Sequence, residues 1–322
     1  MAKKSLDRYV TEFLEYLEIE RNRSQKTVKN YHFYLSRFCD WLGKEKQPAD
    51  ITAEDVRKYR LWLNRLIDVH GEELKKNTQN YHLIALRSFL KYLAKRDIVS
   101  LAAEKIELMK MPDREVAFLH GSDLNRLLEA PLAIIQKGEK KPSQQTRIAL
   151  RDKAILELFF STGLRVSELI LLKKDDISFE RDEFTVQGKG KKSRVVFVSE
   201  QARFWLKKYI SARKDMNQYL FVSHDKRTAK TMDESDAPLT PRSAQRIVQK
   251  WAKVAGITKI VTPHTLRHSY ATDLLQNGAD IRSVQSMLGH SSITTTQIYT
   301  HVTDKELHNI HKKFHGKKRN PN

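Results

Sequence analysis

The chain has 322 residues, 40% of them hydrophobic, which is enough for about two packed domains and excludes a globally disordered protein. Its formal net charge of +20 and its pI near 9.8 predict a polyanionic partner, either nucleic acid or an anionic membrane. No apolar run approaches the ~18 residues of a spanning helix, and the N terminus has no apolar signal-peptide core, so we expect no membrane insertion. The only cysteine, Cys39, cannot form an intrachain disulfide and is expected to be a small buried residue, as in a cytoplasmic protein.

The first hundred residues have the apolar periodicity of short helices. Four helices are predicted, over residues 5–17, 24–42, 52–66 and 78–95. The second stops at Gly43 and the third begins at Thr52, which are typical residues for ending and capping a helix. We therefore predict a helical bundle over 1–109 and a linker over 110–116, where the sequence is polar and contains Pro112.

The remaining residues, 117–322, predict a second domain that combines helices with a small antiparallel sheet. A helix capped by Ser122 is followed by the polar segment 136–147, which we expect to be an exposed insertion. Two predicted strands, 183–186 and 194–198, flank the Gly/Lys-rich turn 188–192. This pattern is typical of a β-hairpin with a basic tip. Further helices are predicted over 148–160, 201–214, 242–255, 266–276 and 281–288, and a second polar loop over 224–238. The fold class is therefore mainly α with a small antiparallel β-sheet.

Two short motifs carry side chains that can hold a phosphate. Arg165 stands at a turn into a predicted helix, and Glu168 lies on the same face, where its carboxylate can orient the guanidinium. His264 and Arg267 share a face at a helix N terminus, where free N–H groups and the helix dipole favour an anion. Each motif alone also fits a solvated surface, where an ion pair contributes only ~0–1 kcal/mol.

A third motif contains a histidine and a tyrosine. His290 follows the glycine at 289, and Tyr299 comes nine residues later, after a run of β-branched residues. A tyrosine in such a position is most often part of a core or an interface.

The order of these residues points to a known family. In chain order they are Arg165, Lys189, His264, Arg267, His290 and Tyr299. This order and the strings GLRVSE, GKGKKSR, HTLRHSYAT, LGHSS and TTTQIYTHV resemble the tyrosine recombinases of the phage-integrase family, especially its Xer branch. The likeness in layout extends over essentially the whole chain. The insertions at 136–147 and 224–238 leave open a paired Xer system or a single-recombinase system of the XerH kind.

The resemblance implies an N-terminal SAM-like, core DNA-binding domain and a mixed α+β catalytic domain that ends in a C-terminal tail. It also implies strand cleavage through a covalent 3′-phosphotyrosine at Tyr299, followed by rejoining. Arg165 and Arg267 would hold the non-bridging phosphate oxygens, because guanidinium groups are permanently charged forks. His264 and His290 would supply further donors, and the resemblance implies that His264 also helps to deprotonate Tyr299.

The leaving 5′-oxygen needs a proton, which a lysine on a hairpin tip can deliver when it moves to within hydrogen-bond reach. The resemblance implies that this general acid is Lys189. Lys191 and Lys192 are then simple phosphate contacts. No metal or other cofactor is expected, since the covalent intermediate stores the energy of the broken bond and the carboxylates do not cluster as nuclease ligands do. No phosphate-binding loop of the GxxxxGK[ST] kind is present in the sequence.

The expected partners follow from the same resemblance. They are a double-stranded recombination site, three further copies in a homotetramer on paired sites, and a DNA translocase of the FtsK kind, in chromosome dimer resolution. The tail carries a thin apolar stripe, Leu307, Ile310 and Phe314, which is predicted to dock on a neighbouring protomer or, alternatively, on its own domain.

Basic residues are predicted to contact the DNA: Lys26, Lys29, Arg87, Lys91, Lys191 and Lys192. The candidates for reading bases are Gln25, Lys26, Asn77, Gln79 and Asn80. The alternative for any such helix face is that it is simply solvated.

Three other functional classes fit part of this pattern. A type IB-like topoisomerase or a phage or transposon integrase would share the chemistry and differ in outcome. A non-catalytic DNA-binding protein would have no need of six catalytic residue types in this order, and a metal-dependent nuclease would need clustered carboxylates.

The general-acid assignment gives a direct prediction. Lys189→Ala should slow cleavage severely on an ordinary duplex, whereas a substrate with a 5′-bridging sulfur should be cleaved at nearly the normal rate, because that leaving group needs no proton. Single-turnover cleavage of both duplexes measures this. Equal defects on the two substrates would leave Lys189 with a binding role only.

Overall fold

The computed structural model describes residues 5–67, 71–110, 117–135, 142–188, 193–224 and 237–289. Contacts divide the chain into two compact units, Met1–Asp113 and Arg114–Asn322. The described residues are mainly helical with one two-stranded antiparallel sheet, which confirms the predicted fold class. The exact bounds 1–109, 110–116 and 117–322 stay a prediction. None of the described helices is both long enough and apolar enough to cross a membrane.

Four helices build the first unit: α1 (Leu6–Ile19), α2 (Gln25–Leu42), α3 (Ala53–Arg65) and α4 (Lys76–Lys95). The hydroxyl of Ser24 accepts a hydrogen bond from the backbone of Thr27 at the start of α2, and Thr52 and Asp55 cap each other at the start of α3. The apolar faces meet in one core around aromatic side chains. Cys39 is buried there, as predicted, and burial raises the pKa of its thiol to about 12.

The described part of the second unit contains seven helices: α5 (Gly121–Glu129), α6 (Gln144–Thr162), α7 (Val166–Leu171), α8 (Glu200–Ala212), α9 (Pro241–Val254), α10 (Pro263–Gln276) and α11 (Ile281–Leu288). Strands β1 (Glu183–Gln187) and β2 (Ser193–Phe197) form the predicted hairpin, in a register that pairs Glu183 with Phe197 and Gln187 with Ser193. The long helix α6 packs against both α8 and α10, so it is the centre of this unit.

Two local predictions in this unit are wrong. Ser122 does not cap α5, which begins one residue earlier, after His120. The segment 136–147 is not wholly an exposed insertion, because its last four residues form the first turn of α6 and Thr146 is buried. Its polar composition has a local cause, since the Ser143 hydroxyl caps the helix by accepting from the backbone of Thr146.

A buried polar network ties α6 to α9. The Asp152 carboxylate is 1% exposed and accepts hydrogen bonds from Arg151 (Nη2 2.7 Å, Nε 3.0 Å) and from Trp251 Nε1 (2.8 Å). Arg151 Nη1 also donates to the carbonyl of Val222 at 3.0 Å. Because each charge is buried, removing one member leaves the other without compensation.

Asp152→Ala should therefore lower the free energy of unfolding by about 3–5 kcal/mol, because the Arg151 guanidinium would stay buried without its carboxylate. Urea unfolding followed by tryptophan fluorescence measures the loss. Asp182→Ala is the matched control, since Asp182 is exposed and a surface substitution should change stability by about 0.5 kcal/mol or less. Equal losses in the two variants would contradict the structural role of the network.

Candidate active site

The predicted site begins where α6 ends. Gly163 follows the last residue of α6 with φ 58°, a left-handed conformation that favours glycine. A Cβ atom at this position would collide with the ring of Tyr270 on α10. The glycine therefore allows α10 to approach the turn closely, and the turn delivers Arg165 as the residue that precedes α7.

Arg165 is held by a buried carboxylate. Its Nη1 donates to Glu168 Oε1 at 2.8 Å, and its backbone N–H donates to Oε2 at 2.8 Å. Glu168 thus holds both the side chain and the backbone of Arg165, which is the arrangement that the predicted orienting role needs. The Arg165 side chain keeps 29% of its surface exposed, whereas that of Glu168 keeps 4%.

A second arginine shares this carboxylate. Arg194 on β2 donates from Nη1 to Oε1 and from Nη2 to Oε2 of Glu168, both at 2.8 Å. Burial alone would raise the pKa of Glu168, but the hydrogen bonds from Arg194 and Arg165 outweigh it and lower this pKa to about 2. The carboxylate is therefore ionised throughout the physiological pH range.

His264 and Arg267 lie in the first two turns of α10, which is capped by Thr262. Arg267 is almost completely buried, and its Nη1 and Nη2 donate to the carbonyls of Gly163 (2.5 Å) and Leu288 (2.6 Å). The pKa of His264 is lowered, first by burial and then by the charges of Arg267 and Arg165. Its imidazole is therefore neutral near pH 7 and can accept a proton.

Three arginines converge on the C-terminal end of α11. Arg194 Nε donates to the carbonyl of Met287 (3.1 Å), Arg267 Nη2 to that of Leu288, and Arg165 Nη2 to that of Gly289 (2.8 Å). These carbonyls have no partner within the helix and lie at the negative end of its dipole, so they attract cations. The residue after Gly289 is the predicted catalytic His290.

The other predicted site residues lie outside the described residues. They are Lys189, Lys191, Lys192, His290 and Tyr299. Their roles stay predictions, as do those assigned to Arg165, Glu168, His264 and Arg267.

Sequence reasoning missed Arg194, although a signal for it exists. Arg194 lies two residues before Val196 on β2, so the two side chains share one face of the strand. Val196 is buried, so this face points inward. A charge on the inward face of a strand requires a partner, and Glu168, the acidic residue already paired with Arg165 in the sequence, is a candidate for it.

The basic residues of the first unit that are predicted to contact DNA differ in their exposure to solvent. Lys26, Lys29 and Lys91 are exposed, and Arg87 is half-buried. Lys91 lies 3.8 Å from a carboxylate oxygen of Glu104. The basic side chains on α2 and α4 are thus accessible from solvent to different degrees, and their contacts with DNA stay a prediction.

Two of the suggested base readers are wrong for a structural reason. Gln79 and Asn80 are buried, and their amides already serve the unit itself. Gln79 Nε2 donates to the carbonyl of Leu74 at 2.7 Å, and Asn80 Oδ1 accepts from the backbone of Met109 at 3.2 Å. They hold the backbone on either side of α4.

Known proteins are similar to this chain in sequence. The Phage integrase family matches residues 118–306, and the N-terminal SAM-like domain of phage integrases matches residues 10–97. Tyrosine recombinase XerD of Chlorobaculum tepidum is 36% identical over 305 residues, which cover 94% of each chain. Tyrosine recombinase XerC of Thermodesulfovibrio yellowstonii is 34% identical over 311 residues, 95% of this chain and 96% of the relative.

The fold also matches a solved structure. It is XerH site-specific recombinase, bound to a palindromic difH substrate in a post-cleavage complex. The match has a TM-score of 0.67 at 22% identity, and it covers 93% of this chain and 83% of the XerH chain. The chain belongs to the Xer tyrosine recombinases of the phage integrase family, enzymes that cleave and rejoin DNA through a tyrosine intermediate.

The shared carboxylate predicts a pH-dependent stability. Because the pKa of folded Glu168 is about 2, below the ordinary value, its contribution is complete above about pH 4.5 and is lost as the pH falls towards 2. Glu168→Gln should therefore cost about 3 kcal/mol at pH 7, and the difference from the unsubstituted protein should shrink below about pH 4.5.

Urea unfolding at a series of pH values from 7 to 3 measures this difference, with Glu180→Gln as an exposed control. A difference that is the same at pH 7 and pH 3 would show that Glu168 contributes by shape and not by charge.

Proposed function

We propose that this chain is a site-specific recombinase that resolves chromosome dimers, with Tyr299 as its nucleophile. The observation that carries the proposal is the convergence of Arg165 and Arg267 at the end of α11, immediately before His290 in sequence. His264 lies close enough to both arginines that their charges help to lower its pKa. The XerD and XerC relatives, which match over nearly the whole chain, support the same reaction and the same class of substrate.

The chemistry follows from these side chains. Tyr299 attacks phosphorus and forms the 3′-phosphotyrosine bond, while the bond from phosphorus to the 5′-oxygen breaks. Negative charge develops on the non-bridging oxygens, which the partly exposed guanidinium of Arg165 and the buried positive charge of Arg267 stabilise. His264, neutral at pH 7, accepts the tyrosine proton, and Lys189 gives a proton to the 5′-oxygen.

Rejoining reverses the same steps. A 5′-hydroxyl attacks the phosphotyrosine, and Tyr299 leaves with a proton restored to its oxygen. When the incoming hydroxyl comes from a second duplex, the strands are exchanged. No cofactor takes part, because the covalent bond to the enzyme keeps the energy of the cleaved phosphodiester.

The first unit would hold the duplex through basic side chains: Lys26, Lys29, Arg87 and Lys91. In the second unit, Lys191 and Lys192 would add phosphate contacts next to the general acid. Phosphate contacts of this kind position a protein on DNA without reading its sequence.

The assembly is a homotetramer on two paired sites, working in the cytoplasm with a DNA translocase of the FtsK kind. The apolar stripe Leu307, Ile310 and Phe314 would dock each tail on a neighbouring protomer. Because this segment follows Tyr299 in the chain, the contact would couple cleavage to assembly.

Covalent trapping tests the reaction class. A duplex selected by binding from genomic fragments, nicked close to the scissile phosphate, should form a protein–DNA adduct that survives denaturation in EDTA. The nick releases a short fragment, so the leaving hydroxyl diffuses away and rejoining is prevented. Tyr299→Phe should abolish the adduct, because it removes only the attacking oxygen.

Tyr270→Phe is the matched control. Among the described residues, the Tyr270 hydroxyl donates a hydrogen bond only to the sulfur of Met287, at 3.7 Å, so the adduct should persist without it. An adduct that survives Tyr299→Phe and disappears with Tyr270→Phe would identify Tyr270 on α10 as the nucleophile. Cleavage that requires Mg²⁺ and leaves no adduct would assign the protein to the metal-dependent nucleases.

Recombination between two copies of the selected site on one plasmid then separates a recombinase from a topoisomerase. Excision of the intervening DNA is the expected result. Relaxation of supercoils without excision would identify a type IB-like topoisomerase, and joining only of a mobile-element end to other DNA would identify an integrase.

A further inference from the structure

Arg194 makes more contacts with the site than its place in the hairpin requires. It is the second residue of β2, and its side chain is only 10% exposed. Each of its three guanidinium nitrogens donates a hydrogen bond, two to the oxygens of Glu168 and one to the carbonyl of Met287. A planar guanidinium can satisfy all three acceptors at once, whereas the point charge of a lysine cannot.

The carboxylate that Arg194 grips is the one that holds Arg165. Glu168 Oε1 accepts from both arginines, at 2.8 Å in each case. Within the described ranges, the ion pairs of Arg165 and Arg194 both go to Glu168. The orientation of Arg165 therefore depends on where Arg194 places this carboxylate.

The charges of the three groups favour an anion. One carboxylate between two guanidinium groups leaves a net charge of +1, and the more exposed of the two cations is Arg165. Without Arg194, Glu168 would neutralise Arg165 as a simple pair. Arg194 thus preserves positive charge at the side chain that faces solvent.

The backbone is shaped to admit the Arg194 side chain. Gly289 has φ 63°, and a Cβ atom there would lie 2.9 Å from Arg194 Cδ. The side chain consequently lies directly against the C-terminal end of α11. It spans from Glu168 to the segment that precedes His290.

We propose that Arg194 is a positioning residue of the cleavage reaction, which fixes Glu168 against Arg165 and so aims the Arg165 guanidinium at the scissile phosphate. This role rests on the proposed function. It assigns no direct contact with DNA to Arg194.

A double-mutant cycle tests whether Arg194 acts through Arg165. Arg194→Gln should slow adduct formation on the nicked duplex by about 100-fold, the effect expected from a small misplacement of a catalytic group. Affinity for the single site should change by less than about threefold, because only 10% of the Arg194 side chain is exposed to a ligand. In an Arg165→Ala background, the same substitution should cost less than about threefold, because the group that it positions is absent.

Two modified substrates distinguish a positioning role from a purely structural one, because a structural defect would slow cleavage of both to the same extent. A scissile methylphosphonate carries a methyl group in place of one charged oxygen, so Arg165 has less charge to stabilise and the Arg194→Gln defect should shrink to about tenfold or less. A 5′-bridging sulfur changes only the leaving group, so the defect should persist at its full size.

Two further variants serve as controls. Arg126→Ala removes another arginine–carboxylate pair of the same unit, the pair with Asp123 on the solvent-facing side of α5, and should cleave at the unsubstituted rate. Arg194→Lys keeps the positive charge but carries its donors on a single nitrogen. It replaces Arg194→Gln in the cleavage assay if Arg194→Gln does not fold, and its thermal unfolding midpoint shows whether it is folded itself. A folded Arg194→Lys with slow cleavage, improved by the methylphosphonate, supports the proposal.

The outcomes are separable. If the unsubstituted protein forms an adduct and Arg194→Gln forms it equally fast, the positioning role is overturned and the proposed function stands. Equal losses with and without Arg165, or recovery on the bridging-sulfur substrate alone, also overturn it. If the unsubstituted protein forms no adduct, the proposed function fails and the positioning role fails with it.

Discussion

The site depends on one interaction, the capping of the C-terminal end of α11 by arginines. Three consecutive carbonyls, those of Met287, Leu288 and Gly289, each accept a hydrogen bond from a different guanidinium group. The helix cannot satisfy these carbonyls itself, and its dipole makes this end negative. The arginines come from β2, from α10 and from the residue before α7, so a single helix end brings together three elements that are distant in sequence.

Such a concentration of positive charge must be compensated within the fold. Backbone carbonyls accept part of it as partial charges, and Glu168 supplies one full negative charge that is kept ionised by its two arginines. Burial is the first cause that lowers the pKa of His264 and that lowers the pKa of His268 to about 4, and the charge of Arg267 lowers both further. Both histidines are therefore neutral near pH 7. The resulting cluster retains positive charge at Arg165, which a phosphate group can neutralise.

Much of the fold could be predicted because its signals are local. The caps at Ser24 and Thr52 and the glycine at the end of α6 act within four residues, and strand alternation identified the hairpin. The errors also have local causes. Ser122 has the right chemistry for a cap but lies inside the first turn, and the polar residues 144–147 belong to a helix start rather than to a loop. Composition alone does not distinguish these cases.

The sequence by itself determined the identity and order of Arg165, Glu168, His264 and Arg267, because their types and short spacings define a recognisable motif. Only the tertiary structure decided what they touch. Arg194 meets Glu168 from 26 residues away, and Arg165 meets Gly289 from 124 residues away, separations that carry no periodic signal. The same holds for Gln79 and Asn80, whose polar side chains suggest a surface role until packing buries them. Local pattern fixes which groups are present, whereas burial and long-range hydrogen bonding fix which of them remain available to a ligand.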